Sequence, residues 1–276
     1  KKKAAKNIAK AIDGNVDYIF VDSEKKISDR HSINNDSSNI EKAVKKVVLD
    51  SQLISYKAND LTADSADSFI AEYFSADIQG VDGKKTAIIG TGNIGSKIGM
   101  KLVERGSDVT MYRRNQQKLD VIVNYINITK SRYTNASAYG SNCALEASTN
   151  ADILIGTTSE AVINEKIISS VGDKTLILDI GKGSISKDAL LLSHSRNIEV
   201  YRLSVESSLE GMVLSLISTH SSFINKIGRA TFNGVRVISG GLVATENEFV
   251  VDNYLNPKII YGLGNGMGDF NRNPNK

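Results

Sequence analysis

The residues best suited to do chemistry in this chain are three glycines and two arginines. Gly90-Thr91-Gly92-Asn93-Ile94-Gly95 places its glycines at the G-x-G-x-x-G spacing, after a short apolar run, Ala87-Ile88-Ile89, and before a helical pattern carrying Ile94, Ile98 and Leu102. In such a strand, turn and helix, Gly90 allows the tight turn, Gly92 the close approach of backbone to a pyrophosphate, and Gly95 the packing of helix on strand. The free N–H groups of the helix's first turn then face the anion. A second apolar run, Val109 to Tyr112, follows Gly106 and completes a βαβ unit. It ends in Arg113-Arg114-Asn115, without the acidic residue that an NAD site places on the ribose 2′-hydroxyl. Two guanidinium groups suit a 2′-phosphate, held through paired charge-assisted hydrogen bonds. The pattern favours NADP over NAD; the plain alternative is a glycine-rich turn followed by a solvated basic corner.

Two further strand ends carry candidates. Ala151 to Gly156 reads as a strand ending in Thr157-Thr158, and Thr175 to Ile180 as one ending in Gly181-Lys182-Gly183-Ser184. Ligands of open parallel sheets lie over the carboxyl ends of the strands, so these residues share a rim with the glycine turn and Arg113. Lys182 can meet an anionic substrate group or a proton in transfer there, unless it is simply solvated. His31, His194 and His220 are scattered with no metal-ligand spacing, and the single Cys143 excludes an internal disulfide and argues against a zinc site. No metal is expected. Neither a G-x-S-x-G elbow nor an H-E-x-x-H motif occurs.

The elements that must position these residues follow from the apolar pattern. Of 276 residues, 41% are hydrophobic and 24% charged, enough for one large or two modest cores. The net charge of +3 is small and, apart from Lys1-Lys2-Lys3, dispersed, so nothing calls for nucleic acid or a membrane surface. No apolar run approaches the roughly 18 residues of a membrane span, and no signal-peptide pattern is visible, so a cytoplasmic setting is expected. In residues 1–80, helices are expected at Ala4 to Ile12 and Asn39 to Val47, strands at Val16 to Val21 and Leu49 to Tyr56, and a loop from Ser23 to Ser38. A connecting helix, Leu61 to Phe74, has Thr62 or Asp64 as its expected cap, and Gln79 to Gly83 form a linker. From 81 to 205 short strands alternate with helices, including helices at Gln117 to Ile126 and Ser141 to Ser148, which is the pattern of a parallel, doubly wound sheet. Residues 206–276 form an extension: a long helix at Leu209 to Ile227, two strands, Val235 to Ser239 and Glu248 to Val251, in a hairpin or small sheet, and a glycine-rich tail or loop, Gly262 to Asp269.

The order of a small α/β domain, a connecting helix, then GKKTAIIGTGNIGSKIGMKLVERGSDVTMYRRN, TTSEAVI and LDIGKGSI resembles the superfamily of shikimate dehydrogenase, methylene-tetrahydrofolate and methylene-tetrahydromethanopterin dehydrogenases, and glutamyl-tRNA reductase. The resemblance is carried by Gly83 to Leu203. It implies an α/β fold with a doubly wound, mostly parallel Rossmann sheet, a smaller N-terminal α/β domain on the substrate side and a C-terminal extension. It also places Thr157-Thr158 beside the nicotinamide ribose and lets Gly181 admit backbone to the ring. In shikimate dehydrogenases an Asn-Thr-Asp triplet opens the connecting helix and its Asp works with a Lys on the substrate hydroxyl. The nearest matches here are Thr62-Ala63-Asp64, or Asn59-Asp60, with Lys57 close by; the triplet is not intact, and a surface lysine beside a capping aspartate is the plainer reading.

The expected function is that of an NADP-dependent oxidoreductase moving hydride between the nicotinamide and a small polar substrate, with Lys182, Lys57 and Asp64 as candidate acid-base groups. The alternative is a sensor or assembly protein that binds a dinucleotide without turning it over. A homodimer through the long helix or the C-terminal strands fits the pattern, though no residue compels it.

Overall fold

The computed structural model describes residues 2–24, 26–27 and 38–272. Lys1, His31 and most of the expected Ser23 to Ser38 loop lie outside the described residues. The chain divides into two compact units, Lys1–Ser208 and Leu209–Lys276.

The first unit opens with helix α1 (Lys2–Ile12), strand β1 (Tyr18–Asp22), short strands β2 (Lys26–Ile27) and β3 (Ser38–Asn39), helix α2 (Ile40–Lys45) and strand β4 (Gln52–Tyr56). β1 and β4 pair in parallel, β2 and β3 antiparallel. Ala9, Val21 and Val44 form the small core. Asp13, just past the end of α1, accepts the backbone N–H groups of Leu49 at 2.8 Å and Ser51 at 2.9 Å. One carboxylate thus fixes where α1 stops and where the chain enters β4.

Helix α3 (Ala58–Tyr73) leads into β5 (Lys85–Ile89), α4 (Asn93–Glu104), β6 (Asp108–Tyr112), α5 (Gln116–Thr129), β7 (Ala138–Ser141), α6 (Ala144–Ser148), β8 (Ile153–Gly156), α7 (Glu165–Ser170), β9 (Leu176–Asp179), α8 (Lys187–Ser195) and β10 (Val200–Arg202). The six strands form one parallel sheet in the order β10-β9-β8-β5-β6-β7, the doubly wound Rossmann arrangement with its switch point between β5 and β8. β8 and β9 are buried along their whole length because helices cover both faces. Successive residues go to opposite cores. Ile88, Ile153, Ile155, Leu176 and Leu178 join Ile70, Ile98 and Leu102 on one face, while Ala87, Ile89, Leu154 and Ile177 join Ile163, Ile168 and Ala189 on the other.

Two expectations for this unit are corrected. The stretch Ser141 to Ser148 is not one helix: strand β7 ends at Ser141 and only the five residues of α6 are helical. β7 carries Tyr139 and Gly140 and sits at the sheet edge, so it shows little of the apolar run that marks the central strands. The connecting helix is capped by neither Thr62 nor Asp64. It begins earlier, with Lys57 as an N-cap that makes no side-chain capping bond, and Thr62 Oγ1 instead donates to Ala58 O at 2.8 Å.

The second unit takes up most of α9 (Glu206–Asn225), followed by β11 (Gly228–Phe232), β12 (Val235–Ser239), β13 (Phe249–Val251), β14 (Ile260–Gly264) and β15 (Phe270–Asn271). They form a five-stranded sheet in chain order. Of the two expected arrangements, a hairpin or a small sheet, the small sheet is found: β12 and β13 pair in parallel, and the antiparallel partner of β12 is β11. The glycine-rich stretch also begins as sheet, because Gly262 and Gly264 lie in β14, where a Cβ on Gly262 would fall 2.4 Å from Asn271 O. Inside this sheet the Glu248 carboxylate is buried and meets Arg229 at 2.6 Å. Burial works to raise the Glu248 pKa, but the Thr245 backbone N–H and the Arg229 guanidinium outweigh it and hold the pKa below the usual carboxylate range.

Two measurements check this account. Ile88 is fully buried between sheet and helices, so Ile88→Ala should cost about 2–5 kcal/mol in urea unfolding with an unchanged denaturant slope. The Asp13 pKa is lowered by the N–H groups of Ser51 and then Leu49. Its stabilising contribution is therefore present above the ordinary carboxylate value, near pH 4, and lost as pH falls through the lower folded value. The difference in urea midpoint between parent and Asp13→Ala should shrink steadily below about pH 4; a constant difference would rule out this role for the ionised carboxylate.

Candidate functional site

The glycine turn is built by close approach. The N–H groups of Gly90 and Thr91 both donate to Tyr112 O, at 3.0 and 3.1 Å, which ties the turn to the end of β6. Gly90 has φ +107°, and a Cβ there would fall 2.5 Å from Thr158 Cγ2. A Cβ on Gly95 would lie 2.7 Å from Gly90 O. Gly92 differs, since a Cβ there would meet nothing within 4 Å. The first two need glycine for the fold; at Gly92 the space beside the backbone is open. Gly92 is also the N-cap of α4, with no side-chain cap and no acidic residue in the helix's first turn. The positive end of α4, with Asn93 and Ile94 in that turn, therefore has no side-chain counter-charge from the helix itself.

A cavity of about 440 Å³ opens over this turn. Gly90, Thr91 and Gly92 line its floor, Tyr112 to Asn115 one wall, and Thr157 to Glu160 with Val162 the other. Its volume lies within the range of roughly 300–1,000 Å³ typical of ligand sites. Arg113 Nη1 donates to Thr91 O at 2.6 Å and so braces the turn, while Arg114 reaches across to Glu160, Nη1 to Oε2 at 3.0 Å. Both expected threonines line the cavity, with their hydroxyls engaged. Thr157 Oγ1 donates to Gly90 O, and Thr158 Oγ1 to Glu160 O at 2.7 Å. A larger cavity of about 590 Å³ lies on the flank of the sheet among α3, α4 and α5, over Met100, Ile122 and Tyr125. It holds neither the glycine turn nor an arginine, so the smaller one is the candidate dinucleotide site.

The next strand end is organised by Asp179. Its buried carboxylate accepts Ser184 Oγ at 2.6 Å and the Gly183 N–H at 3.1 Å, closing the loop that carries Gly181 and Lys182. Lys182 is exposed at the crest with φ +56°. Gly181 is pressed on the neighbouring loop, where a Cβ would stand 1.9 Å from Thr158 O. The backbone that Gly181 admits here is therefore that of Thr158, and neither Gly181 nor Lys182 lines the 440 Å³ cavity. Sequence reasoning gave Asp179 no role, although an acidic residue between a buried strand and Gly-Lys-Gly-Ser is the signal for such a loop clamp.

Lys57 and Asp64 are not brought together. Asp64 pairs with Lys101 at 2.9 Å, and Lys57 lies 3.7 Å from Asp60, whose carboxylate is hydrogen-bonded to Lys97. Glu24 joins this group, 3.6 Å from Lys97 and accepting the Asn59 N–H at 2.6 Å. The Lys97 bond pulls the Asp60 pKa down; partial burial opposes ionisation of Lys97, but Asp60 and Glu24 more than offset it and raise the Lys97 pKa. With Asp67 paired to Arg105, α3 and α4 run side by side in the same direction, so the first turn of α3 stands at the glycine-turn end of α4. The shorter match, Asn59-Asp60, is thus the one nearer the rim.

Residues 85–170, from β5 to the end of α7, match the model of the family described as NADP oxidoreductase, coenzyme F420-dependent. Over this stretch, just under a third of the chain, the sequence is similar to an NADP oxidoreductase domain, and the parallel sheet has Rossmann strand order. No curated protein matches the chain. Solved structures similar to it include dipicolinate synthase from Bacillus subtilis, 18% identical over 75% of this chain and 66% of that one, with a TM-score of 0.41. Dipicolinate synthase from Bacillus halodurans is 15% identical over 74% and 79%, with a TM-score of 0.43. L-tryptophan dehydrogenase from Nostoc punctiforme is 12% identical over 79% and 59%, with a TM-score of 0.47. Among the described residues no group of three His, Cys, Asp or Glu side chains is arranged to hold a metal, and no helix is long and apolar enough to cross a membrane.

The open space at Gly92 separates fold from binding. Gly92→Ala should shift stability by less than about 1 kcal/mol in thermal unfolding, yet weaken NADPH by at least about tenfold in calorimetric titration. Unchanged affinity would mean that the pyrophosphate does not approach this backbone.

Proposed function

We propose that the chain is an NADP-dependent oxidoreductase that moves hydride between the nicotinamide and a small polar substrate. What supports this reading most is a single arrangement: an uncapped helix N-terminus and a glycine open to the outside, at the floor of a cavity that has arginines on one wall. The residues fit the cofactor. Gly92 with the first turn of α4, Asn93 and Ile94 included, would hold the pyrophosphate, and the corner after β6 the 2′-phosphate. Thr91, Thr157 and Thr158 would shape the cavity. Bound NADPH supplies the hydride; the chain orients it and keeps water away.

The substrate would sit against residues 1–80 and the strand ends. Lys182, presented by the Asp179 loop, would give a proton to the substrate oxygen as the hydride reaches the adjacent carbon. Lys57 and the Asp60-Lys97-Glu24 group would hold an anionic or polar end of the substrate; Asp64, tied to Lys101, would act through the seating of α3. A cytoplasmic setting fits the free, exposed Cys143. A homodimer through α9, none of whose side chains is buried, or through the C-terminal strands belongs to the same reading.

The test is a calorimetric titration with NADPH and NADH, followed by a panel of keto acids, aldehydes and coenzyme F420 scored by nicotinamide absorbance. NADPH should bind more tightly, and at least one panel member should be turned over. Lys182→Met should leave NADPH affinity within about twofold while lowering kcat by about 100-fold or more. NADPH binding without turnover of any compound would favour the sensor reading. Failure of both nucleotides to bind would end the oxidoreductase reading.

A further inference from the structure

The two arginines after β6 are held in different ways, and the difference bears on how the 2′-phosphate is selected. Arg113 is half-buried and committed to Thr91 O, inside the turn. Arg114 is exposed and joins the opposite wall through a two-pronged contact, Nη1 to Glu160 Oε2 at 3.0 Å and Nη2 to Glu160 Oε1 at 3.3 Å. Glu160 is fixed from behind, because its carbonyl accepts both Thr158 Oγ1 at 2.7 Å and the Val162 N–H at 2.9 Å. Both residues line the 440 Å³ cavity, so the ion pair bridges it from the end of β6 to the loop after β8.

Resting on the NADP reading, we infer that Glu160 is a specificity-determining residue: its carboxylate occupies Arg114 in the free protein, and a 2′-phosphate takes over that guanidinium by displacing it. A carboxylate and a phosphate oxygen pair present the same two-point acceptor to the arginine fork, so one can replace the other without moving the backbone. A dinucleotide with a bare 2′-hydroxyl brings no such acceptor and leaves the bridge closed. Arg113 then keeps the turn in shape, and Arg114 does the reading. The cost of opening is modest, since the pair is exposed and worth only the few-fold in affinity of a surface ion pair. Binding that must break it is accordingly weaker than the arginines alone would give.

The experiment compares the parent, Glu160→Gln, Arg114→Ala and the double variant by calorimetric titration with NADPH, NADH and adenosine 2′,5′-bisphosphate. Glu160→Gln should bind NADPH and the bisphosphate about three- to tenfold more tightly, leave NADH within about twofold, and lose this gain at high salt. In the Arg114→Ala background the same change should have no effect, because there is no guanidinium left to release. If Glu160→Gln leaves NADPH unchanged or weaker while the parent binds it, the inference fails and the NADP site stands. If the gain persists without Arg114, Glu160 merely repels phosphate, and the inference fails in that form. If the parent binds neither nucleotide, the NADP reading and this inference fall together.

Discussion

The rim of the sheet depends on three loops being packed backbone against backbone. The turn after β5 touches the loop after β8 at Gly90 and Thr158, and that loop touches the one after β9 at Thr158 and Gly181. These approaches exist because two of the three contributors have no side chain, and because β5, β8 and β9 are adjacent, in-register parallel strands. Hydrogen bonds add to this: Thr157 Oγ1 donates to Gly90 O between two of the loops, and within the third Asp179 accepts the Gly183 N–H and Ser184 Oγ. The backbone of a rim built this way has little room to rearrange, and such preorganisation is how binding surfaces avoid an ordering cost.

The N-terminal α/β part reaches this rim through ion pairs as well as apolar packing. Ala63, Ala66 and Ile70 of α3 are buried in the same core as Ile98 and Leu102 of α4, and small side chains there bring the helices close. Outside that seam, Asp60, Asp64 and Asp67 meet Lys97, Lys101 and Arg105. Each of these pairs is partly exposed, and alone would be worth little. In sequence along one seam they favour a parallel, in-register arrangement over slipped alternatives.

The sheet was largely legible because its central strands are short apolar runs broken by glycine, and the G-x-G-x-x-G turn has few other uses in that setting. β7 was not, since an edge strand holding Tyr139 and Gly140 offers no buried run to recognise. The parallel pairing of β12 with β13 was hidden for a different reason: two neighbouring apolar runs read as a hairpin or a small sheet alike, and only the intervening stretch, Gly240 to Glu248, shows that the chain crosses back. At the site, glycines, arginines and threonines could be named from spacing alone. Which carboxylate each cation meets could not. Glu160, Asp60 and Glu24 are separated from Arg114 and Lys97 by 37 to 73 residues, and only the fold brings them within reach.

The interlocking of the three loops also limits how such a protein can change over time. A side chain added at Gly90, Gly95 or Gly181 is felt by its neighbours as well as by itself, so the backbone of the rim is inherited as a block. Freedom is left to outward-pointing residues such as Arg114, Glu160 and Lys182, all of them exposed. Divergence toward another cofactor or another reaction partner would therefore run through a handful of solvent-facing positions, on a frame that holds still while they vary.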